Sequence, residues 1–518
     1  MLRFILLLFA CFLHAKDAKF FINSFENRFN SDCLIIPFFE GNELATSYDV
    51  LDSFIEKPLR EKDFTGSSNQ TTLIYTDSTK EKRVLLVGLG KKEDISILSI
   101  KEAYSSAIKS LISNTCLSIE KLSIIYPDAI GFNNNFITTF ADAIFCSNYV
   151  FDKIHKKNSL EKTIKEFQIM GINENDINLL YESYQISKAT NLVRNLVNDN
   201  AYTVTPEYLK NFVEDLKTNE LSSKINTKMF NKAKLGEKKF DLILAVNQGS
   251  NVDPYLIQIE YNGKPNTSDK TILIGKGVTY DTGGLSLKPS QYMDTMRCDM
   301  AGGALVIGII YALAILDIPV NVIGLIPAVE NSIGANSYKP GDVYNSYSGK
   351  TVEIINTDAE GRLILADSIS YACKELKPTR IIDVATLTGS MIHALGREIA
   401  GYFSNDKYLT TKLETSSKNT GELIWQMPLH KRYLKALKSD IADIKNCSKS
   451  SASDAITSAL FLQEFLDGNI SWAHIDLTTA FLNEGFSCYP SNASGYGVRL
   501  LFDFFKEDYH GKTAKRNN

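Results

Sequence analysis

The feature that most restricts the fold of this chain is an alternation, from residue 241 onward, of short apolar runs with helix-like stretches. Candidate strands fall at 241–247, 255–261, 271–275, 320–326, 380–386 and 472–477, and candidate helices near 301–315, 362–376, 455–467 and 498–506. Such alternation predicts an α/β fold whose mixed sheet is flanked by helices on both faces. In sheets of this kind, ligands collect beyond the carboxyl ends of strands. The run at 271–275 leads straight into Lys276 and Asp281, and the strand-like run 352–355 leads to Asp358.

The N-terminal part also alternates strand-like and helix-like pieces. Arg83-Val-Leu-Leu-Val-Gly-Leu-Gly90 is a buried strand ending in glycines. Gly88-Leu-Gly90 continues into Lys91-Lys92-Glu93 without the third glycine of a dinucleotide fingerprint, so it reads as a strand and turn of an accessory domain. Residues 171–200 read as a helix with apolar spacing through Ile186, Ala189, Val193 and Leu196, broken by Asn198-Asp-Asn200 and by Thr203-Val-Thr-Pro206. The predicted organisation is a small N-terminal α/β domain at 19–170, a helical connector at 171–200 and a larger C-terminal α/β domain at 201–510. A length of 518 residues, 44% of them hydrophobic, supplies the core for both.

At the extreme N-terminus, Arg3 precedes ten consecutive apolar residues, Phe4 to Leu13, followed by His14-Ala-Lys-Asp-Ala18. Segment 1–18 resembles a short secretory signal, with export through 1–15 as one reading and a buried strand or helix start as the other. It is too short to span a bilayer, and no later stretch reaches 18 uninterrupted apolar residues, so no membrane span is expected. Eight cysteines lie scattered without CxxC pairing, which predicts reduced thiols rather than a disulfide scaffold or a cysteine zinc site. A formal charge of −4 and a pI near 6.0 give no electrostatic case for nucleic-acid binding.

The chemistry concentrates in two clusters. Asn356-Thr-Asp-Ala-Glu-Gly-Arg-Leu363 places Asp358, Glu360 and Arg362 at alternate positions, on one side if the backbone is extended. Upstream, Gly275-Lys-Gly-Val-Thr-Tyr-Asp-Thr-Gly-Gly284 is followed by Lys288 and by Met296-Arg-Cys-Asp299. Together they bring carboxylates at 281, 299, 358 and 360 and lysines at 276 and 288. Acids forced together offset their desolvation when cations bind between them, and four suit a two-metal site. Hard oxygen ligands favour Mg or Mn, with Zn tolerated. Burial beside cations lowers a lysine pKa, so Lys276 is a candidate ligand as a neutral amine, whereas Lys288 can stay protonated and polarise a carbonyl. The plainer reading makes both lysines solvated and makes Asp299 a cap of the helix starting near Met300. Arg362 opens an apolar helix, where the dipole disfavours a cation, so it is expected to face an anion. There is no HExxH helix, G-x-S-x-G elbow or Walker A loop, and His393 and His474 read as core histidines.

With those residues in place, the chain resembles the leucyl (cytosol) aminopeptidase family of dimetal metallopeptidases. The matching motifs are Lys276 to Pro289, Met296 to Met300 and Asn356 to Leu363, supported by Ala385-Thr-Leu-Thr-Gly389, Trp425-Gln-Met-Pro-Leu429 and Trp472-Ala-His-Ile-Asp476. The resemblance spans about 180–506 and extends more loosely into the N-terminal part. It implies two metals bridged by Asp281 and Glu360, with Asp358 completing the more exchangeable site and Lys276 and Asp299 the tighter one. The metals are Mn or Zn first, with Mg or Co also compatible. It further implies that a metal-bridging hydroxide attacks the first peptide bond, that Lys288 stabilises the oxyanion, and that Arg362 holds a bicarbonate ion as general base. Met296, Thr386 and Leu387 correspond to the first side-chain pocket, which favours leucine and other apolar residues. Family members are cytoplasmic homohexamers, and some relatives carry a second role as DNA-binding regulators. One departure is Ser451-Ala-Ser-Asp-Ala-Ile456, where the family has a glycine-richer loop and where Asp454 is expected at the pocket rim.

Overall fold

The structure is a computed structural model that describes residues 18–50, 53–114, 117–131, 133–151, 153–154, 163–450 and 452–514. The signal-like segment 1–15, Cys11, His14, Cys116, His155 and Ser451 lie outside the described residues.

The N-terminal domain is a seven-stranded sheet. Its order is Lys19–Ile22, Glu166–Met170, Lys121–Ile125, Cys33–Phe39, Arg83–Gly88 and Thr71–Tyr75, with Glu43–Leu44 hooked onto Cys33–Phe39. Every residue of Cys33–Phe39 is buried, as a central strand covered on both faces requires. Cys33, Ile35, Leu122 and Ile124 pack on one face with the helices Ile97–Ser113 and Asn134–Ser147, and Leu34, Ile36, Val84 and Leu86 pack on the other. The helix Ile177–Asn198 then leads into the second domain.

There the main sheet has nine strands. Its order is Ile424–Gln426, Ala400–Ser404, Ser471–Asp476, Arg380–Ala385, Thr271–Gly275, Asn321–Asn331, Tyr255–Asn262 and Ile225–Phe230, with Gly277–Asp281 continuing beside Asn321–Asn331. Its centre is parallel: Thr271–Gly275 pairs in parallel with Asn321–Asn331 and with Arg380–Ala385, which pairs in parallel with Ser471–Asp476. Tyr255–Asn262 and Ala400–Ser404 add antiparallel neighbours. Two clusters fill its faces, one around helix Ala301–Ile315 and the other around helix Gly361–Tyr371. The helix Ala301–Ile315 carries no charged residue and is buried from Ala301 to Ala314, which marks a core helix. Its fit against the connector is close: a Cβ on Gly308 would stand 2.5 Å from Val193 Cγ2 and 3.2 Å from the Ala189 carbonyl.

One expected strand is corrected. Residues 241–247 form the helix Asp241–Val246 rather than a strand. Its first N–H groups find a distant acceptor, since Leu242 N and Ile243 N donate to Asp367 Oδ2 at 3.0 and 3.1 Å. A buried carboxylate from another helix thus does the work of a cap.

Candidate metal centre

Lys276 follows the strand Thr271–Gly275 directly and is buried at 3% exposure. Its N–H donates to the Val384 carbonyl and its carbonyl accepts from Gly303 N, so its backbone is pinned between a neighbouring strand and the start of helix Ala301–Ile315. This packing needs glycines, because a Cβ on Gly302 would lie 2.2 Å from the Val384 carbonyl. The side chain then reaches two acids: Nζ stands 2.8 Å from Asp299 Oδ2 and 2.7 Å from Glu360 Oε1.

Lys288 makes the complementary pair of contacts. Its Nζ lies 2.9 Å from Asp281 Oδ2 and also pairs with Asp358. Asp281, Asp358 and Glu360 each offer a ligand atom, and these atoms all lie within 4.8 Å of one another. All six charged residues from 276 to 360 proposed from the sequence therefore converge. The means differ from the sequence expectation. Asn356 to Glu360 is a turn leading into helix Gly361–Tyr371, not an extended strand, and the turn is what folds Asp358 and Glu360 inward. Asp299 sits in a 3-10 turn, Met296–Met300, and its carboxylate serves Lys276 and Thr386 instead of capping the helix. Lys276 is buried and Lys288 half-buried, each paired with two acids.

Electrostatics explain what such a cluster wants. Burial, then the Asp281 and Glu360 charges, push Asp358 up to about 7. Burial likewise pushes Asp299 well above the usual carboxylate range. For Glu360, burial is outweighed by Lys276 and Lys288, which hold it below its ordinary value. For Lys276, burial opposes its charge, but Asp299, Glu360 and Asp281 outweigh it and raise its pKa. The buried Glu360 Oε2 has neither a hydrogen bond nor an ion pair. An orphaned carboxylate oxygen amid three converging acids fits a divalent cation, which would supply the missing contact.

Several supporting residues escaped the sequence reading. Asn331, fully buried, donates from Nδ2 to Asp281 Oδ1 at 2.8 Å and to the Thr357 carbonyl at 3.0 Å. Thr357 ties the two clusters together, donating to the Gly283 carbonyl and accepting from Ser286 N. Asp476 accepts from Leu387 N, Thr388 N and the Thr388 hydroxyl, at 2.9, 3.3 and 2.7 Å. That fixes the loop whose Thr386 carbonyl accepts from Lys276 and whose Thr386 hydroxyl donates to Asp299. Thr386, expected in a side-chain pocket, thus also braces the acids. Met296 and Leu387 are half-buried against the two core clusters. The only sequence hint of Asp476 was its place at the end of Trp472-Ala-His-Ile-Asp476.

Arg362 stands apart from the four acids. It is buried, donates from Nη1 to the Asn446 carbonyl at 3.2 Å and pairs through Nη2 with Asp454 at 3.2 Å, while its Nε has no hydrogen-bond partner. The expectation that it faces an anion holds in the form of Asp454. His474 is buried against Asp383, as a core histidine, but His393 is exposed.

A mixed α/β sheet that delivers buried acids and lysines beyond the ends of its strands, with an orphaned carboxylate oxygen among them, is the class of site that seats a divalent cation. Two family models match: "Cytosol aminopeptidase family, catalytic domain" over residues 191–502 and "Cytosol aminopeptidase family, N-terminal domain" over residues 35–158. The chain is 40% identical over 493 residues to a "Probable cytosol aminopeptidase" of Protochlamydia amoebophila, covering 93% of this chain and 97% of that relative. It is 41% identical over 490 residues to one of Chlamydia trachomatis serovar D, covering 93% and 98%. Among solved structures, the bottromycin maturation enzyme BotP in complex with Mn superposes with a TM-score of 0.81 at 28% identity, over 92% of this chain and 99% of that one. The chain belongs to the cytosol aminopeptidase family. It is an aminopeptidase, a metal-dependent hydrolase that releases N-terminal residues from peptides.

Proposed function

We propose that this aminopeptidase works with two divalent ions, Mn or Zn first and Mg or Co also compatible, and prefers leucine and other apolar residues at the N-terminus of its peptide substrates. The observation that carries the reading is the convergence of ligand atoms from Asp281, Asp358 and Glu360 within 4.8 Å, with Lys276 and Asp299 alongside. Asp281 and Glu360 are suited to reach both ions, Asp358 to complete the more exchangeable position, and Lys276 with Asp299 to complete the tighter one. Bound there, divalent ions would supply Lewis acidity and lower the pKa of a bound water.

The chain's own residues do the rest. Lys288 is kept charged because Asp281, Glu360 and Asp358 outweigh its burial, so it can stabilise the oxyanion that develops on the scissile carbonyl. Arg362 has a buried, unpartnered Nε to offer an anion, and we assign to it the holding of a bicarbonate ion as general base. Met296, Thr386 and Leu387 line the first side-chain pocket in this reading, where burial of an apolar substrate side chain favours binding. Assembly as a homohexamer and a cytoplasmic location are carried over from the family.

A series of aminoacyl amides tests this. Leucine and methionine amides should exceed glycine amide in kcat/KM by about tenfold or more, and N-acetylated leucine amide should be inert. Equal cleavage of the acetylated substrate contradicts recognition of a free N-terminus.

A further inference from the structure

Two cysteines that the aminopeptidase chemistry leaves unused meet at the junction of the domains. Cys146 lies in the last turn of helix Asn134–Ser147, in the N-terminal domain, and Cys488 lies just before strand Asn492–Ala493, in the catalytic domain. Both are buried and free, and their thiols are hydrogen-bonded to each other.

One guanidinium holds both backbones. Arg194, fully buried on the connector helix Ile177–Asn198, donates from Nη1 to the Cys146 carbonyl at 2.7 Å and from Nη2 to the Cys488 carbonyl at 3.2 Å. Its Nε donates to the Ser494 carbonyl at 2.7 Å. A planar fork with fixed donors keeps the two cysteines in one arrangement.

The surroundings separate the two thiols chemically. Helix Ile97–Ser113 contributes Lys101, whose Nζ lies 3.2 Å from the Tyr489 hydroxyl, and Lys109, whose Nζ donates to the Tyr489 carbonyl at 3.0 Å. The nearby acid, Glu422, accepts from the Tyr489 hydroxyl at 2.8 Å. Burial opposes ionisation of Cys488, but the bond from Cys146 and the charges of Lys101, Arg194 and Lys109 outweigh it and hold Cys488 well below the ordinary thiol range. Its bond to Cys488 and its own burial push Cys146 well up. Cys33 and Cys298, by contrast, are pushed up to about 12, chiefly by burial, and are inert. One thiolate beside one thiol is the arrangement that stepwise disulfide formation needs.

We propose that Cys146 and Cys488 are a redox-responsive pair that closes to an inter-domain disulfide when the protein meets a hydroperoxide. The Cys488 thiolate attacks one peroxide oxygen, the O–O bond breaks, and the departing alkoxide or hydroxide takes a proton from water, leaving a sulfenic acid on Cys488. The Cys146 sulfur then attacks the Cys488 sulfur. The S–O bond breaks, and the departing hydroxide takes the Cys146 proton and leaves as water. The two sulfurs lose two electrons and the peroxide gains them. The bond fastens the N-terminal domain to the catalytic domain.

The test treats the full-length protein with hydrogen peroxide, alkylates the remaining thiols with iodoacetamide under denaturing conditions, and maps the peptides before and after reduction. The expected result is one dominant cross-linked pair joining Cys146 to Cys488, lost on reduction, together with a higher thermal midpoint for oxidised than for reduced protein. In Cys146→Ser the link should vanish and Cys488 should advance to sulfinic or sulfonic acid. The wild-type map decides the matter even where that variant folds poorly. The proposal is overturned when both wild-type cysteines remain alkylated after peroxide, or when other cysteine pairs cross-link in preference.

Discussion

Gly361 leaves open the space that the Lys276 side chain fills: a Cβ at 361 would stand 2.7 Å from Lys276 Cε and 2.8 Å from its Nζ. The helix that begins with Gly361 follows directly on Glu360, so one glycine lets the lysine pass beneath that turn to reach both Asp299 and Glu360. Gly361→Ala should displace the amine and lower kcat by roughly 100-fold, the usual scale for a displacement of about 1 Å at a reacting centre. Steady-state kinetics with a Mn titration checks this, and an unchanged kcat would mean that the position of Lys276 is not critical.

Lys288 pairs with Asp281 and Asp358 and is only partly buried, so its charge can meet an oxyanion that develops beside those acids. Lys288→Ala should lower kcat by about 100- to 1000-fold, with a much smaller change in KM, because its contribution grows as the oxyanion forms. A mutant defective only in KM assigns Lys288 to ground-state binding instead.

Asp476 satisfies three donors of the 386–388 loop from a position 1% exposed. Removing the carboxylate strands those donors in the interior, so Asp476→Ala should cost about 3 kcal/mol of stability. Asp476→Asn, which keeps one acceptor, should lose less. Chemical denaturation of both variants gives the comparison.

Burial and the neighbouring acids raise Asp358 from 3.8 to about 7 in the metal-free chain. The folded chain therefore keeps a proton there that the unfolded chain has released. This contribution to stability is fully present below about pH 4 and is lost as pH rises through about 7. A divalent cation must displace that proton, so apparent Mn affinity should rise between about pH 6 and about pH 8, with proton release on binding. Calorimetric titrations in buffers of different protonation enthalpy measure both, and equal affinity at the two pH values contradicts the assignment.

Much of the site was legible because its residues stand in two short contiguous stretches at the ends of strands. Lys276, Asp281, Asp299, Asp358 and Glu360 could be named without knowing how the turn at 356–360 folds. Asn331 and Asp476 could not, since nothing near them in the chain announces the acid or loop that they hold. The sequence offers no sign that Asp454 pairs with Arg362, 92 residues away in the chain. The helix Asp241–Val246 reads as a strand because the five-residue apolar run Leu242 to Val246 suits a strand or a buried helix equally. Its deciding contact comes from Asp367, far along the chain. The Cys146–Cys488 meeting was hidden for the same reason: pairing across domains leaves no mark in spacing.

The central claim is that Asp281, Asp358 and Glu360, with Lys276 and Asp299, hold the divalent metal on which peptide cleavage depends. The most direct test is hydrolysis of leucine amide by chelated enzyme, before and after resupply of Mn or Zn, with Asp281→Ala carried in parallel and its folding confirmed by circular dichroism. The chelated enzyme should be inactive and recover on adding metal, and the folded Asp281→Ala should stay inactive at any metal concentration. Full activity in the chelated protein or in Asp281→Ala would contradict the account.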